Sequence, residues 1–355
     1  MISTLRDDLT HGGFFANFRR ETKEIEEFYL TQDERELLQK KRRPWRWAFV
    51  GWWILKNSIL KLTPLRRILL VSGLVLALTD VSYQSDGSQV MIQYRMVGIF
   101  CLLLVILLEL KDKLLAHSEL ESGRAVQKAM NPEPAPFVPG WNVWLFTRSA
   151  NEVGGDLVDF LRLDGGRFGV AIGDVAGKGL GAALFMVKIQ STIRALAPEF
   201  ESLRDLASKL NSILMRDGIP GKFASLMFVR IDSAGGRLRF VNAGHMPPLV
   251  VSSGGLSELP KGNAALGLSA DTQFAERDVT LETGHSLLIY SDGLTEAQNQ
   301  EGEFYGLERL KMLCQECGSI SAQSFGEKLV QSVSAFEGNA RRTDDLSLVI
   351  LQKSA

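Results

Sequence analysis

Three separated aspartates, each beside a turn at the edge of an apolar run, could do chemistry together. They are Asp174 in Gly173-Asp174-Val175-Ala176-Gly177-Lys178-Gly179, Asp292 in Tyr290-Ser291-Asp292-Gly293, and Asp344 in Asp344-Asp345-Leu346-Ser347-Leu348. Each run reads as a buried strand, so each carboxylate falls where water is scarce. A lone buried carboxylate is costly, and a divalent cation shared among several of them is the usual remedy. The pattern points to a metal-dependent hydrolase.

The elements that must position these residues begin at Phe137, where short apolar segments bounded by Gly, Asp and Asn alternate with a few helices. Strands are expected at Trp141 to Thr147, Leu157 to Leu163, Arg167 to Asp174, Phe223 to Ile231, Arg237 to Asn242, Ser286 to Tyr290 and Leu346 to Leu351. Helical periodicity falls near Leu180 to Leu196, Leu203 to Arg216, Leu307 to Cys314 and Ala322 to Phe336. Hairpin-like joins such as Asp164-Gly165-Gly166 and Ala234-Gly235-Gly236 favour antiparallel pairing. The regular strand-helix alternation of a doubly wound sheet is missing, so the expected class is an α+β sandwich.

Composition bounds the rest. A chain of 355 residues, 45% apolar and with formal charge -1, can hold one sizeable core plus an accessory region, and it makes no case for a nucleic-acid partner. Cys101 lies in an apolar segment, and the pair Cys314 and Cys317 lacks the further Cys or His that a zinc site needs, so it reads as helix filler. A reducing, intracellular setting fits.

Charge is unevenly spread in the N-terminal region. No Asp or Glu occurs from Leu37 to Thr79, while Lys40, Lys41, Arg42, Arg43, Arg46, Lys56, Lys61, Arg66 and Arg67 accumulate. Two apolar segments follow, from Ile68 to about Tyr83 and from about Val90 to Leu110. Their uninterrupted runs fall short of the roughly 20 residues that span a bilayer comfortably. Their pairing and the basic flank nevertheless lead us to expect a membrane hairpin with both termini and the C-terminal domain in the cytoplasm, a multi-pass protein of the inner membrane. Trp45, Trp47, Trp52 and Trp53, interleaved with basic residues, add an interfacial helix contacting membrane lipid. The expected plan is a basic amphipathic helical region at 1–66, two membrane helices within 67–110 (about 67–84 and 90–110), a linker helix and Pro-rich joint at 111–136, and the sandwich at 137–355. Leu107, Leu110 and Leu114 begin a weak heptad, which makes a homodimer through the 111–130 helix one expectation and a single packed helix the other.

Five motifs then make the resemblance specific. They are Asn151-Glu152-Val153-Gly154-Gly155-Asp156-Leu157-Val158-Asp159-Phe160, Ile172 to Gly179 leading to Ala182-Ala183-Leu184, Asn242-Ala243-Gly244-His245-Met246-Pro247-Pro248, Tyr290 to Ala297, and Asp344 to Leu348. In this order, with Gln127 in the lead-in helix, the stretch of about 125–353 resembles the bacterial PPM phosphatases of the SpoIIE and RsbU type. Residues 1–110 carry no such likeness.

The resemblance implies two antiparallel β-sheets flanked by helices and two Mn²⁺ or Mg²⁺ ions at one end. Asp174 matches the carboxylate bridging the ions, with the Val175 carbonyl as a further ligand; Asp292 and Asp344 match the other ligands of one ion, and Asp156 the acidic position near the second. These oxygen donors suit hard cations. The implied reaction needs no protein nucleophile, because a water activated between the ions attacks phosphorus, with Asp174, Asp292 and Asp344 acting through it. Asp159 and Asp345 are expected to support the ligands or to cap turns, Lys178 to meet substrate phosphate or solvent, and His245 to be structural. The implied substrate is a phosphorylated protein, a STAS-type anti-anti-sigma factor or another partner-switching protein. The rival is a membrane-bound interaction module with a phosphatase fold and little activity. The glycine spacing at Gly173 to Gly179 rules out a phosphate-binding loop, and Leu157-Val158 rules out a diguanylate cyclase signature.

Overall fold

Strand β5 (Arg167–Val175) shows how the sequence builds the layers. Successive strand side chains point to opposite faces. Val170 and Ile172 enter one apolar cluster, whereas Ala171 and Val175 enter another on the opposite face. A strand apolar on both faces must be covered on both, and that requirement generates the architecture.

The structure is a computed structural model, which describes residue 37 and residues 43–79, 81–85, 88–92 and 94–354, except 218, 220, 233–234, 253 and 318–319. The chain divides into two compact units, Met1–Leu115 and Ala116–Ala355.

In the second unit, strands β3 (Trp141–Arg148), β4 (Leu157–Leu163), β5, β6 (Ala224–Asp232), β7 (Arg237–Ala243), β8 (Leu249–Ser252), β9 (Gly255–Glu258), β10 (Glu276–Thr280), β11 (Ser286–Tyr290) and β12 (Leu346–Lys353) form two sheets. Their orders are β10-β7-β6-β5-β4 and β3-β12-β11-β8-β9. Every pairing in both is antiparallel. The inner faces meet in one core, where Val170, Ile172, Val229 and Phe240 of the first sheet join Leu145, Leu287, Ile289 and Val349 of the second. Outside the first sheet lie two helices, Leu180–Leu196 and Leu203–Asp217; outside the second lie Gly306–Glu316 and Ala322–Glu337. Each fully buried Val, Leu or Ile contributes roughly 1.5–3 kcal/mol, so the three layers of apolar contact dominate the stability of the unit. This is the expected α+β sandwich. Three short strands, β8, β9 and β10, were not expected.

The first unit holds helices Arg43–Lys61 and Pro64–Leu78, strands β1 (Val81–Ser85) and β2 (Ser88–Ile92), and the beginning of a helix that runs from Tyr94 to Met130. The two strands pair antiparallel, where the sequence suggested the end of one membrane helix and the start of another. Gly73 and Gly98 let the helices on either side of this pair approach closely, since a Cβ on Gly98 would lie 2.6 Å from the Gly73 carbonyl oxygen. Arg66 donates to both Glu109 and Asp112 at 2.6 Å.

The expected membrane hairpin, and with it a multi-pass position in the inner membrane, is overturned. Among the described residues no helix is long and apolar enough to cross a membrane. Helix Pro64–Leu78 has 15 residues, a rise of about 22 Å against a hydrocarbon layer of about 30 Å. The longer helix has its apolar stretch closed off by Arg95 on one side and by Glu109, Lys111 and Asp112 on the other. The amphipathic region expected before Arg43 lies outside the described residues apart from Leu37, as do the side chains of Trp45 and Trp47.

Candidate active site

Sheet topology collects the carboxylates. Asp156 immediately precedes β4 and Asp174 lies at the end of β5; antiparallel pairing of Leu157 with Gly173 puts both at one edge. Asp292 follows β11 and Asp344 precedes β12, and the pairing of Tyr290 with Leu348 does the same in the second sheet.

Asp345 ties the two edges together. Its Oδ1 accepts from the Ala150 N–H at 2.7 Å, and its Oδ2 accepts from the N–H groups of Gly155 at 2.6 Å and Asp156 at 3.3 Å. A Cβ on Gly155 would lie 3.5 Å from Asp174 Oδ1 and 3.4 Å from the Val175 carbonyl oxygen, so the Gly-Gly-Asp loop sits directly against them. Gln127 grips the same loop: its Nε2 donates to the Gly154 carbonyl at 2.7 Å and its Oε1 accepts from the Gly154 N–H at 3.0 Å.

The electrostatics follow from this crowding. Burial, then the charges of Asp292, Asp344 and Asp345, raises the Asp174 carboxyl to about 7. Burial first and the Asp174 charge second hold Asp156 well above the usual carboxylate range. Asp292 is raised by burial and by Asp344. Burial and like charge both disfavour the ionised forms. Lys178 supplies a cation locally, its Nζ donating to Asp344 Oδ2 at 3.1 Å and to the Thr343 carbonyl at 2.5 Å.

The donor set fits a hard divalent cation. All four carboxylates offer oxygen, and Asp156 Oδ2 is buried without a well-formed hydrogen bond, with the Ser347 and Ser291 hydroxyls near the carboxyl. Among the described residues, no three Asp, Glu, His or Cys side chains form a ready-made cage. The aspartates share one electrostatic field, and Asp344 is turned to Lys178.

Asp159 belongs to a different arrangement. It is fully buried, and both its oxygens accept from Arg194 at 2.8 Å. Arg194 and Gln190 also donate to the Met130 carbonyl, satisfying a helix end. His245 is buried, with Nδ1 2.9 Å from Ser225 Oγ. Cys314 and Cys317 are buried in the cluster beneath the second sheet.

Sequence reasoning missed the serines that support the aspartates. Ser225 Oγ accepts from the Asp174 N–H at 3.2 Å. Ser291 Oγ accepts from the Ser347 N–H at 3.0 Å and donates to the Asp345 carbonyl at 3.3 Å. The available signal was a hydroxyl interrupting an apolar strand, since a buried polar group must find a partner.

A two-sheet sandwich flanked by helices, with aspartates from four strand ends gathered at one edge, defines a PP2C-type phosphatase domain. The PP2C domain of SiaA from Pseudomonas aeruginosa has this fold: it is matched with TM-score 0.59 and 18% identity over 68% of this chain and 98% of that one. The chain belongs to the SpoIIE family, since the profile of stage II sporulation protein E matches residues 164–354. Protein IcfG of Synechocystis sp. is 30% identical over 220 residues, which is 54% of this chain and 35% of that protein. The phosphoserine phosphatase RsbU of Bacillus subtilis is 25% identical over 238 residues, 66% of this chain and 70% of RsbU. This chain thus spans about a third of IcfG and somewhat more than two thirds of RsbU.

Proposed function

We propose that the chain is a metal-dependent protein serine/threonine phosphatase that hydrolyses phosphoserine or phosphothreonine on a regulatory protein, an anti-anti-sigma factor or another partner-switching protein. The observation that carries this reading is the convergence of Asp156, Asp174, Asp292 and Asp344 on one sandwich edge, with Asp156 Oδ2 buried and without a well-formed hydrogen bond. The likeness to RsbU, a phosphoserine phosphatase, supports the substrate class.

Asp174 with the Val175 carbonyl, Asp156, Asp292 and Asp344 would hold two Mn²⁺ or Mg²⁺ ions, which supply Lewis acidity and a more acidic water when bound. Asp174 is the carboxylate coupled to both groups of aspartates: its charge raises Asp156, and the charges of Asp292 and Asp344 raise it. Asp345 keeps the Gly-Gly-Asp loop in register through three backbone N–H groups. Lys178 can exchange Asp344 for a phosphoryl oxygen, because its side chain is 59% exposed. No side-chain nucleophile is required. A homodimer through the 111–130 helix belongs to the same reading, supported by the exposure of Leu110, Leu114 and Leu115.

The test is phosphate release from a phosphoserine protein by the full chain, titrated with Mn²⁺ and reversed with a chelator. Release that survives complete chelation contradicts metal dependence. Binding of the phosphoprotein with no turnover under any metal favours the interaction module.

A further inference from the structure

The motif Asn242-Ala243-Gly244-His245 is not absorbed by the cation site, yet the fold spends several specific contacts on it. Gly244 has φ +76°, and a Cβ there would lie within 2.9 Å of Ala265 backbone atoms, so only glycine makes this turn. Asn242 then clamps the residue three positions on: its Oδ1 accepts from the His245 N–H at 2.8 Å, and its Nδ2 donates to the His245 carbonyl at 3.1 Å. The turn therefore delivers one imidazole in a fixed orientation. His245 is 5% exposed. Its Nδ1 is engaged by Ser225 Oγ at 2.9 Å, and its Nε2 is buried beside the Tyr290 main chain without a well-formed hydrogen bond.

Ser225 has one proton and must serve two neighbours. Its Oγ accepts from the Asp174 N–H at 3.2 Å, so its own O–H is available for His245 Nδ1. That arrangement requires a neutral imidazole carrying its proton on Nε2. Strand register makes Ser225 the partner of Asp174. A buried imidazole with Nδ1 occupied cannot reach a leaving group, which excludes a general-acid role.

We propose that Ser225 and His245 are positioning residues for the reaction at Asp174: the chain Asp174 N–H to Ser225 Oγ, and Ser225 O–H to His245 Nδ1, fixes the main chain that aims the Asp174 carboxylate and the Val175 carbonyl. This rests on the phosphatase reading above. It assigns a purpose to the Asn-Ala-Gly-His turn, which holds an acceptor behind the central aspartate. Because the links act in series, removing either one releases the same strand end.

The test uses the full chain and the variants Ser225→Ala, Ser225→Thr, His245→Gln and the double Ser225→Ala/His245→Gln. Mn²⁺ affinity is measured by calorimetry, and kcat and KM are measured with p-nitrophenyl phosphate at saturating Mn²⁺. Groups that orient metal ligands are worth roughly 10–100-fold in affinity or activity. Ser225→Ala and His245→Gln should each weaken Mn²⁺ and lower kcat by about tenfold with KM unchanged, the double should be no worse than either single, and Ser225→Thr should recover both. Nitrogen-15 spectra of the metal-free protein should show a neutral His245 imidazole protonated at Nε2. Wild-type Mn²⁺ affinity in the single variants, losses that multiply in the double, or an imidazole protonated at Nδ1 each overturn the proposal. If the wild type releases no phosphate from p-nitrophenyl phosphate, the phosphatase reading fails, while the Mn²⁺ constants and the spectra still decide the positioning role.

Discussion

Gly293→Ala concentrates the logic of the site in one methyl group. Gly293 is the second residue of the short helix Asp292–Thr295, and a Cβ there would lie 1.9 Å from the Asp345 carbonyl oxygen and 2.8 Å from its carbon. Real Cβ atoms do not come within 3.0 Å, so the carbonyl must retreat by about 1.1 Å. Neither side yields easily. The Asp345 side chain holds three N–H groups of the 150–156 loop, and Ser291 bonds both Ser347 and Asp345 across the same contact. Overpacking of this kind costs roughly 1–3 kcal/mol, a fall in Tm of about 5 °C for a domain of this size. Displacing catalytic groups by about 1 Å costs on the order of 100-fold in rate. The substitution should therefore lower kcat far more than it lowers the folded fraction at 25 °C. Thermal unfolding and p-nitrophenyl phosphate turnover on one preparation separate the two effects. A variant with wild-type kcat and Mn²⁺ affinity would refute the reasoning, because it would show that Asp292 and Asp344 do not depend on this backbone contact.

Gly326→Ala should do the reverse, because its Cβ would lie 2.1 Å from the Trp144 ring, which stacks on Phe146 on the helix-covered outer face of the second sheet. A loss of about 2 kcal/mol in urea unfolding with unchanged turnover per folded molecule is expected. Arg194→Ala leaves the Asp159 carboxylate buried and unpaired, and should cost roughly 3 kcal/mol; Asp159→Asn in the same chain should recover part of it. Burial lowers the His245 imidazole from 6.5 to about 4. The unfolded chain then takes up a proton below pH 6.5 that the folded chain refuses until about pH 4, so this stability is present above 6.5 and lost as pH falls through that window. Between pH 7 and pH 5 the wild type should lose about 2 kcal/mol more than His245→Gln does. Equal losses would show that His245 takes up its proton without penalty.

The strands around the site were legible because Arg167–Val175 and Leu346–Lys353 are nearly continuous apolar runs, covered on both faces. The edge strands Glu276–Thr280 and Gly255–Glu258 were not: neither has a fully buried residue, and each carries a single apolar side chain, Val279 and Leu256. The aspartates were legible for a related reason, since a charge closing an apolar run is conspicuous. Their partners depend on tertiary meetings that spacing does not encode. Nothing local in the sequence joins Asp159 to Arg194 or Lys178 to Asp344, and Ser225 reads as a minor interruption until β6 is laid beside β5. The membrane expectation erred by weighting apolar content over length and continuity; a pair of short strands separates the two segments, and charged residues close the second.

The central claim is that Asp174 serves the reaction through divalent cations. The most direct measurement is phosphate release from a phosphoserine protein by wild type and Asp174→Asn, side by side, with and without Mn²⁺. Mn²⁺-dependent release by the wild type and none by the variant is expected, with the variant as stably folded as the parent. Equal release by the two proteins would contradict it.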